Sequence, residues 1–105
     1  GMFAWHQKGK SMLFIVTCLD KPDAAELRVA NYDAHKAYQE TAKIRNLISG
    51  PLPHETEDRM IGSHFLVEAE SREEVELFNK NDPFNKHGIW GEISIRSFVK
   101  RVDNR

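Results

Sequence analysis

His35 and the run Asp82-Pro83-Phe84 carry the clearest potential for chemistry in this chain. The histidine falls on an expected helix, and the acid sits in a tight Asp-Pro-aromatic turn far downstream. An imidazole that meets a carboxylate forms the smallest acid–base unit a protein can assemble. The acid orients the ring and sets its tautomer, and an imidazole changes charge near neutrality. Arg28, one helical line from His35, could hold a substrate carboxylate or phenolate. The bland alternatives are a half-buried helical histidine, an acid that only starts a turn, and a solvated arginine.

The other candidates are weaker. His6 and His54 lie in polar stretches, and His87 precedes a glycine, so solvent-facing or structural roles suit them. His64 alternates with apolar residues and is expected at a barrel interior or a subunit seam. No H-x-x-x-H, H-E-x-x-H or paired-cysteine spacing occurs, so no metal site is expected. No glycine-rich phosphate loop or G-x-S-x-G elbow is present, and no cofactor is expected. Cys18 is the single cysteine. Its apolar neighbours point to a buried, inert thiol and a reducing, cytoplasmic setting. Trp5 and Trp90 are read as packing residues.

A chain of 105 residues is one domain with a modest core. Charged residues make up 30% and nearly cancel, leaving a formal net charge of −1. That balance excludes a dedicated nucleic-acid binder with a basic face. The longest apolar run, Met12–Cys18, is far too short to span a bilayer, so no membrane partner is expected. Residues 1–11 are read as an N-terminal extension in which Gly1 ahead of Met2 looks like a cloning remnant. Residues 12–105 are read as a single domain.

The elements that must position these residues follow from pattern. Met12–Leu19 is β-branched and apolar, the signature of a central strand buried on both faces. Asp23 with Glu26 reads as a capping box opening a helix from about Ala24 to Asn46. Leu27, Ala30, Ala34, Ala37, Tyr38 and Thr41 form its expected packing stripe, continued by Ile44 and Ile48. Arg28, Tyr32, His35 and Gln39 lie along the edge of that stripe. Asn46–Pro53 holds two prolines, so a strand there must be irregular or at an edge.

Met60–Glu70 alternates as a strand. Ser71 and Glu74 form a second capping box, before a short helix with Val75, Leu77 and Phe78 inside. Pro83 pushes Asp82 out of helical geometry and displays its carboxylate on a turn. Phe84–Gly88 is a loop or helical turn, and Ile89–Lys100 is the last strand. The order is β-α-β-β-α-β, a ferredoxin-like α+β sandwich. Right-handed crossovers put both helices on one face of an antiparallel sheet. The open face then needs a cover, which two subunits pressing sheet on sheet provide as a homodimeric α+β barrel.

The residues also resemble a known family, the YciI-like (YCII-related) proteins. The resemblance runs from Met12 to Arg101. It rests on Met12-Leu13-Phe14-Ile15-Val16, Arg28, His35, Gly50-Pro51, Gly62-Ser63, Asp82-Pro83-Phe84, Gly88-Ile89-Trp90 and Phe98. It implies small dimeric α+β-barrel proteins with His35 and Asp82 as a catalytic pair. Arg28, Tyr32, Ser63 and Phe84 are then expected around a small organic substrate, aromatic ones included. Proton abstraction, elimination (dehydrochlorination of a hydroxyhydroquinone is one family reaction) or isomerisation is the implied chemistry. The N-terminal extension and the polar loop His54–Arg59 depart from the family pattern. A non-catalytic ligand-binding or regulatory dimer is the first alternative. A relative of the cofactor-free monooxygenases or haem-binding proteins with this barrel is the second, by fold analogy alone.

Overall fold

The computed structural model describes residues 11–105. The expected extension, with His6 and Trp5, therefore lies almost wholly outside the described residues. Four strands form one sheet: β1 (Met12–Asp20), β2 (Arg45–Pro53), β3 (Met60–Ala69) and β4 (Trp90–Phe98). Their spatial order is β2-β3-β1-β4, and every neighbouring pair is antiparallel. Helices α1 (Ala25–Ala30) and α2 (Tyr32–Glu40) follow β1, and α3 (Arg72–Lys80) and the one-turn α4 (Pro83–Lys86) follow β3. This is the ferredoxin-like α+β fold expected from the element order.

Alternation decides which side chains meet the helices. Phe14, Val16 and Cys18 of β1 and Phe65, Val67 and Ala69 of β3 are buried on the inner face. Val75, Phe84, Ile89 and Trp90 complete that core. Each fully buried side chain of this size contributes about 1.5–3 kcal/mol relative to exposure. The intervening β1 residues Leu13, Ile15 and Thr17 are only half-buried. The expectation of a strand buried on both faces is therefore met on one face of the single chain.

The first helix differs most from its expected form. It bends at Asn31, which closes α1 and opens α2, with its own side-chain amide donating to the Leu27 carbonyl at 2.9 Å. Such local bonding competes with a continuous helical ladder. The chain leaves the helix after Glu40, and Arg45 already starts β2. Pairing with β3 outweighs helix propensity there. Ala30, Ala34 and Ala37, the expected packing stripe, are exposed. The line Arg28, His35 and Gln39 turns inward instead, because hydrogen-bond partners await it.

Two further expectations are corrected. Asp23 does not cap α1: it occupies the left-handed turn position with φ of 65°, and the N-cap is Ala24. Aspartate tolerates that conformation better than most residues. Leu77 of α3 is exposed rather than inside. Ser71 does cap α3, accepting from the Glu74 amide at 3.2 Å, while Glu74 reaches back to the Glu70 amide. β2 is an edge strand, as its prolines require, with register shifts at Asn46/Ile48 and at Leu52/Pro53.

Candidate active site

The turn after α3 builds the acid end of the site. Pro83 takes the first helical position of α4, where its missing N–H costs nothing. Asp82 is the N-cap, its Oδ1 accepting from the Phe84 amide at 2.8 Å. Asp82 stands out of helical geometry on this turn, as expected, and its carboxylate faces inward, 0% exposed. Buried carboxylates need several donors, and Asp82 has them. Oδ1 also faces His35 Nδ1 at 2.8 Å, and Oδ2 accepts from Gln39 Nε2 at 2.6 Å.

His35 is held on its other sides by aromatic rings. It lies parallel to Phe84 with centroids 4.0 Å apart, and Phe65 and Trp90 meet it edge-on at about 6 Å. With Nδ1 committed to a carboxylate, the neutral ring carries its proton on Nδ1 and keeps a lone pair on Nε2. No described residue bonds Nε2. The ring lines a cleft of about 550 Å3 between α2 and the β2–β3 edge. That volume suits a small molecule.

Arg28 is almost wholly buried and forms the other pole. Its Nε donates to Asp20 Oδ2 at 2.8 Å, and one terminal nitrogen donates to Ser63 Oγ at 2.6 Å and to the Gly62 carbonyl. The guanidinium carbon stands 4.8 Å from the Phe84 ring centroid. Gly62 itself lies close against β1, where a Cβ would stand 2.5 Å from the Cys18 carbonyl oxygen.

Arg28, Tyr32 and Ser63, expected as substrate contacts, all line the cleft with His35. Tyr32 is half-exposed at its rim, and Ser63 is buried in its floor. Phe84, the fourth expected contact, does not line the cleft. It is fully buried under the imidazole, so its place is that of a platform for the ring. Gln39, Asn46, Ser49 and Asp20 were not singled out as site residues. Gln39 stands one turn after His35, a spacing that could have flagged it. Asp20 and Asn46 gave no comparable signal, because only the tertiary fold brings them in.

The remaining titratable candidates fall elsewhere. His54 accepts from the amides of Thr56 and Glu57 and knits its loop, and His87 is exposed. His64 points to the open sheet face, 3.0 Å from Thr17 Oγ1. Cys18 is buried, and burial pushes its thiol up to about 12 despite a bond from Asn79. The thiol is thus neutral and out of reach of solvent. Among the described residues, no cluster of three or more His, Cys, Asp or Glu is placed to hold a metal ion.

Comparison with known proteins adds context to this geometry. The family model of the YCII-related domain matches residues 12–99. Protein YciI of Escherichia coli and that of Shigella flexneri are each 29% identical over 96 residues, covering 85% of this chain and 98% of theirs. The structure of 5-chloro-2-hydroxyhydroquinone dehydrochlorinase from Burkholderia phenoliruptrix, in complex with 2,5-dihydroxybenzoquinone, superposes with a TM-score of 0.79. It is 35% identical, covering 84% of this chain and 94% of that one. A Bacteriodes thetaiotaomicron protein named for antibiotic biosynthesis monooxygenases has a TM-score of 0.56 at 10% identity, covering 92% of this chain and 95% of that one. That likeness speaks for the fold alone. No described helix is long and apolar enough to cross a membrane. The chain belongs to the YCII-related family.

Proposed function

We propose that this protein is a small acid–base enzyme in which His35 acts through Nε2 and Asp82 orients it. The observation that carries the reading is the 2.8 Å contact of His35 Nδ1 with a wholly buried carboxylate, at the wall of a ligand-sized cleft. Nε2 takes a proton from an acidic hydroxyl or carbon of the substrate. The electron pair left behind moves through the conjugated system. It either expels a leaving group such as chloride or is re-protonated elsewhere by the imidazolium, giving elimination or isomerisation. The carboxylate holds the ring in place throughout, and such proton transfer contributes about 10²–10⁴-fold to a rate.

The substrate we infer is a small, hydroxylated ring compound. Phe65 and Tyr32 on the cleft wall, with the polar groups of Arg28, Ser63 and Tyr32, suit a flat molecule bearing phenolate or carbonyl oxygens. The 35%-identical dehydrochlorinase, solved with a dihydroxybenzoquinone, supports the same class. The site is assigned no cofactor. We further propose a homodimer through the open sheet face. Ile15 opposite Leu66 and Leu13 opposite Phe98 put apolar side chains on that face, with Ile48 beside Leu66 and with Arg96, Glu68 and His64 interspersed. Ile48 and Phe98 are 55% and 37% exposed in the single chain, and a second copy would cover them.

The test is turnover of chlorinated and unchlorinated hydroxyhydroquinones, followed by chloride release and quinone absorbance. Turnover that falls by about 10²-fold or more in His35→Ala, with folding intact, supports the enzyme. A ligand that binds wild type and His35→Ala equally and is never turned over supports a binding module instead.

A further inference from the structure

We propose that Gln39 and Asn46 are positioning residues, an amide relay whose direction is set by the charge on Asp82 and which keeps Oδ1 turned to His35. The proposal rests on the His35–Asp82 reading and extends it to two cleft residues that act through Asp82. An ionised carboxylate only accepts hydrogen bonds. Gln39 must therefore turn its NH2 group to Asp82 Oδ2, which it does at 2.6 Å. That orientation sends Gln39 Oε1 the other way, toward β2. Asn46 must in turn present its own NH2, and Nδ2 donates to Gln39 Oε1 at 2.8 Å.

The relay explains an otherwise puzzling orphan. Asn46 Oδ1 is buried and has no hydrogen-bond partner among the described residues. Inverting the Asn46 amide alone would set its oxygen against Gln39 Oε1. Inverting both amides would set Gln39 Oε1 against the carboxylate. Each alternative replaces one unpaired acceptor with a repelling pair of oxygens. The orphan is thus the far end of a polarity that starts at Asp82.

The backbone of β2 is shaped for the same purpose. Asn46 pairs with Val67 and Ile48 with Leu66, so Leu47 is an extra, bulged residue. In an unbroken strand, residues three apart point to opposite faces. The bulge lets Asn46 and Ser49 both point into the cleft, and Ser49 Oγ accepts the second Asn46 N–H at 3.1 Å. Bulges commonly re-aim side chains beside active sites.

The experiment uses the full chain labelled with 15N-histidine, at about pH 9 where an imidazole is neutral. It reads the two ring-nitrogen shifts of His35 and its Nδ1–H proton signal. Asn46→Asp matches the shape of asparagine but presents only acceptors, so Gln39 stands between two carboxylates, can satisfy only one, and its hold on Asp82 Oδ2 weakens. Asn46→Ala removes the donor without adding a carboxylate. The expected result is a shifted and broadened Nδ1–H signal in Asn46→Asp, as Oδ1 loses its fixed aim, and a near-wild-type signal in Asn46→Ala. A space-filling role gives the opposite order, and equal effects also overturn the relay.

If Asn46→Asp does not fold, Gln39→Glu and Gln39→Met carry the same contrast, with the shape-matched variant again the more disruptive. Asp82→Asn separates the two claims. A His35 signature unchanged by Asp82→Asn removes the pair itself. A changed signature there, with no contrast among the amide variants, removes the relay and leaves the pair standing.

Discussion

The His35 ring lies flat on the Phe84 ring, 4.0 Å away and within 6° of parallel. The Phe84 amide and His35 Nδ1 both address Asp82 Oδ1. One tripeptide, Asp82-Pro83-Phe84, therefore supplies the acid, the turn that buries it and the surface on which the base rests. The site's geometry is set by a helix cap as much as by a catalytic contact. Substitutions in the tripeptide accordingly divide into those that change chemistry and those that change folding.

Asp82→Ala is expected to do both. It removes an N-cap, which costs about 0.5–2 kcal/mol. It also leaves the Gln39 donor unpaired in the interior, worth about another 1–3 kcal/mol. Asp82→Asn keeps the cap and should retain most stability while losing function. Urea unfolding of the two variants beside wild type checks the difference.

Arg28 is expected to be as important to folding as to binding. Arg28→Met leaves Asp20 buried without its cation, at a cost of about 3–5 kcal/mol. Arg28→Lys should recover only part of this, because a point charge cannot reach Asp20, Ser63 and the Gly62 carbonyl together. Thermal melts of the two variants test the order.

Gly62→Ala should destabilise by about 1–3 kcal/mol, since the new methyl meets the Cys18 carbonyl and backbone must shift. The shift also carries the Gly62 carbonyl away from Arg28. Loss of stability with ligand binding at the wild-type level would separate these two effects and argue against a link from β3 to the site.

Cys18 gives stability a pH dependence on the alkaline side. Its folded thiol is raised from 9.0 to about 12 by burial, so the unfolded chain loses this proton first. The contribution is complete below pH 9.0 and fades as pH climbs toward 12, by at most about 1.4 kcal/mol per pH unit. Cys18→Ala should show a flatter decline over that window. A thiol reagent at about pH 8 should leave the native protein unmodified.

Much of this was legible in the chain. Alternation in Phe65, Val67 and Ala69, the Ser71 cap, and the prolines of β2 each dictate their element locally. The partnership of His35 with Asp82 was legible only as an expectation. Their contact spans 47 positions and depends on β3 and α3 folding back over the sheet. The helix face was misjudged because alanines usually pack and arginines usually do not. Here Asp20, Ser63 and Gly62 satisfy Arg28 inside, so the polar line turns inward and the alanines face out. None of those partners lies on the helix, and helical periodicity cannot reveal them.

The proposed dimer predicts that Ile15→Arg, at the centre of the open sheet face, yields monomers with a folded site. Light scattering on the variant and on wild type measures this directly. A wild-type chain that is already monomeric at assay concentration would remove the homodimer from the proposal.

The most direct test of His35 as the base is the tautomer of its neutral ring, read from 15N chemical shifts in wild type and in Asp82→Asn. The expected result is a proton on Nδ1 in wild type, leaving the Nε2 lone pair open to substrate, and loss of that preference in Asp82→Asn. A wild-type ring protonated on Nε2 would contradict it, since Asp82 would then have to carry a proton and His35 would have no lone pair facing the cleft.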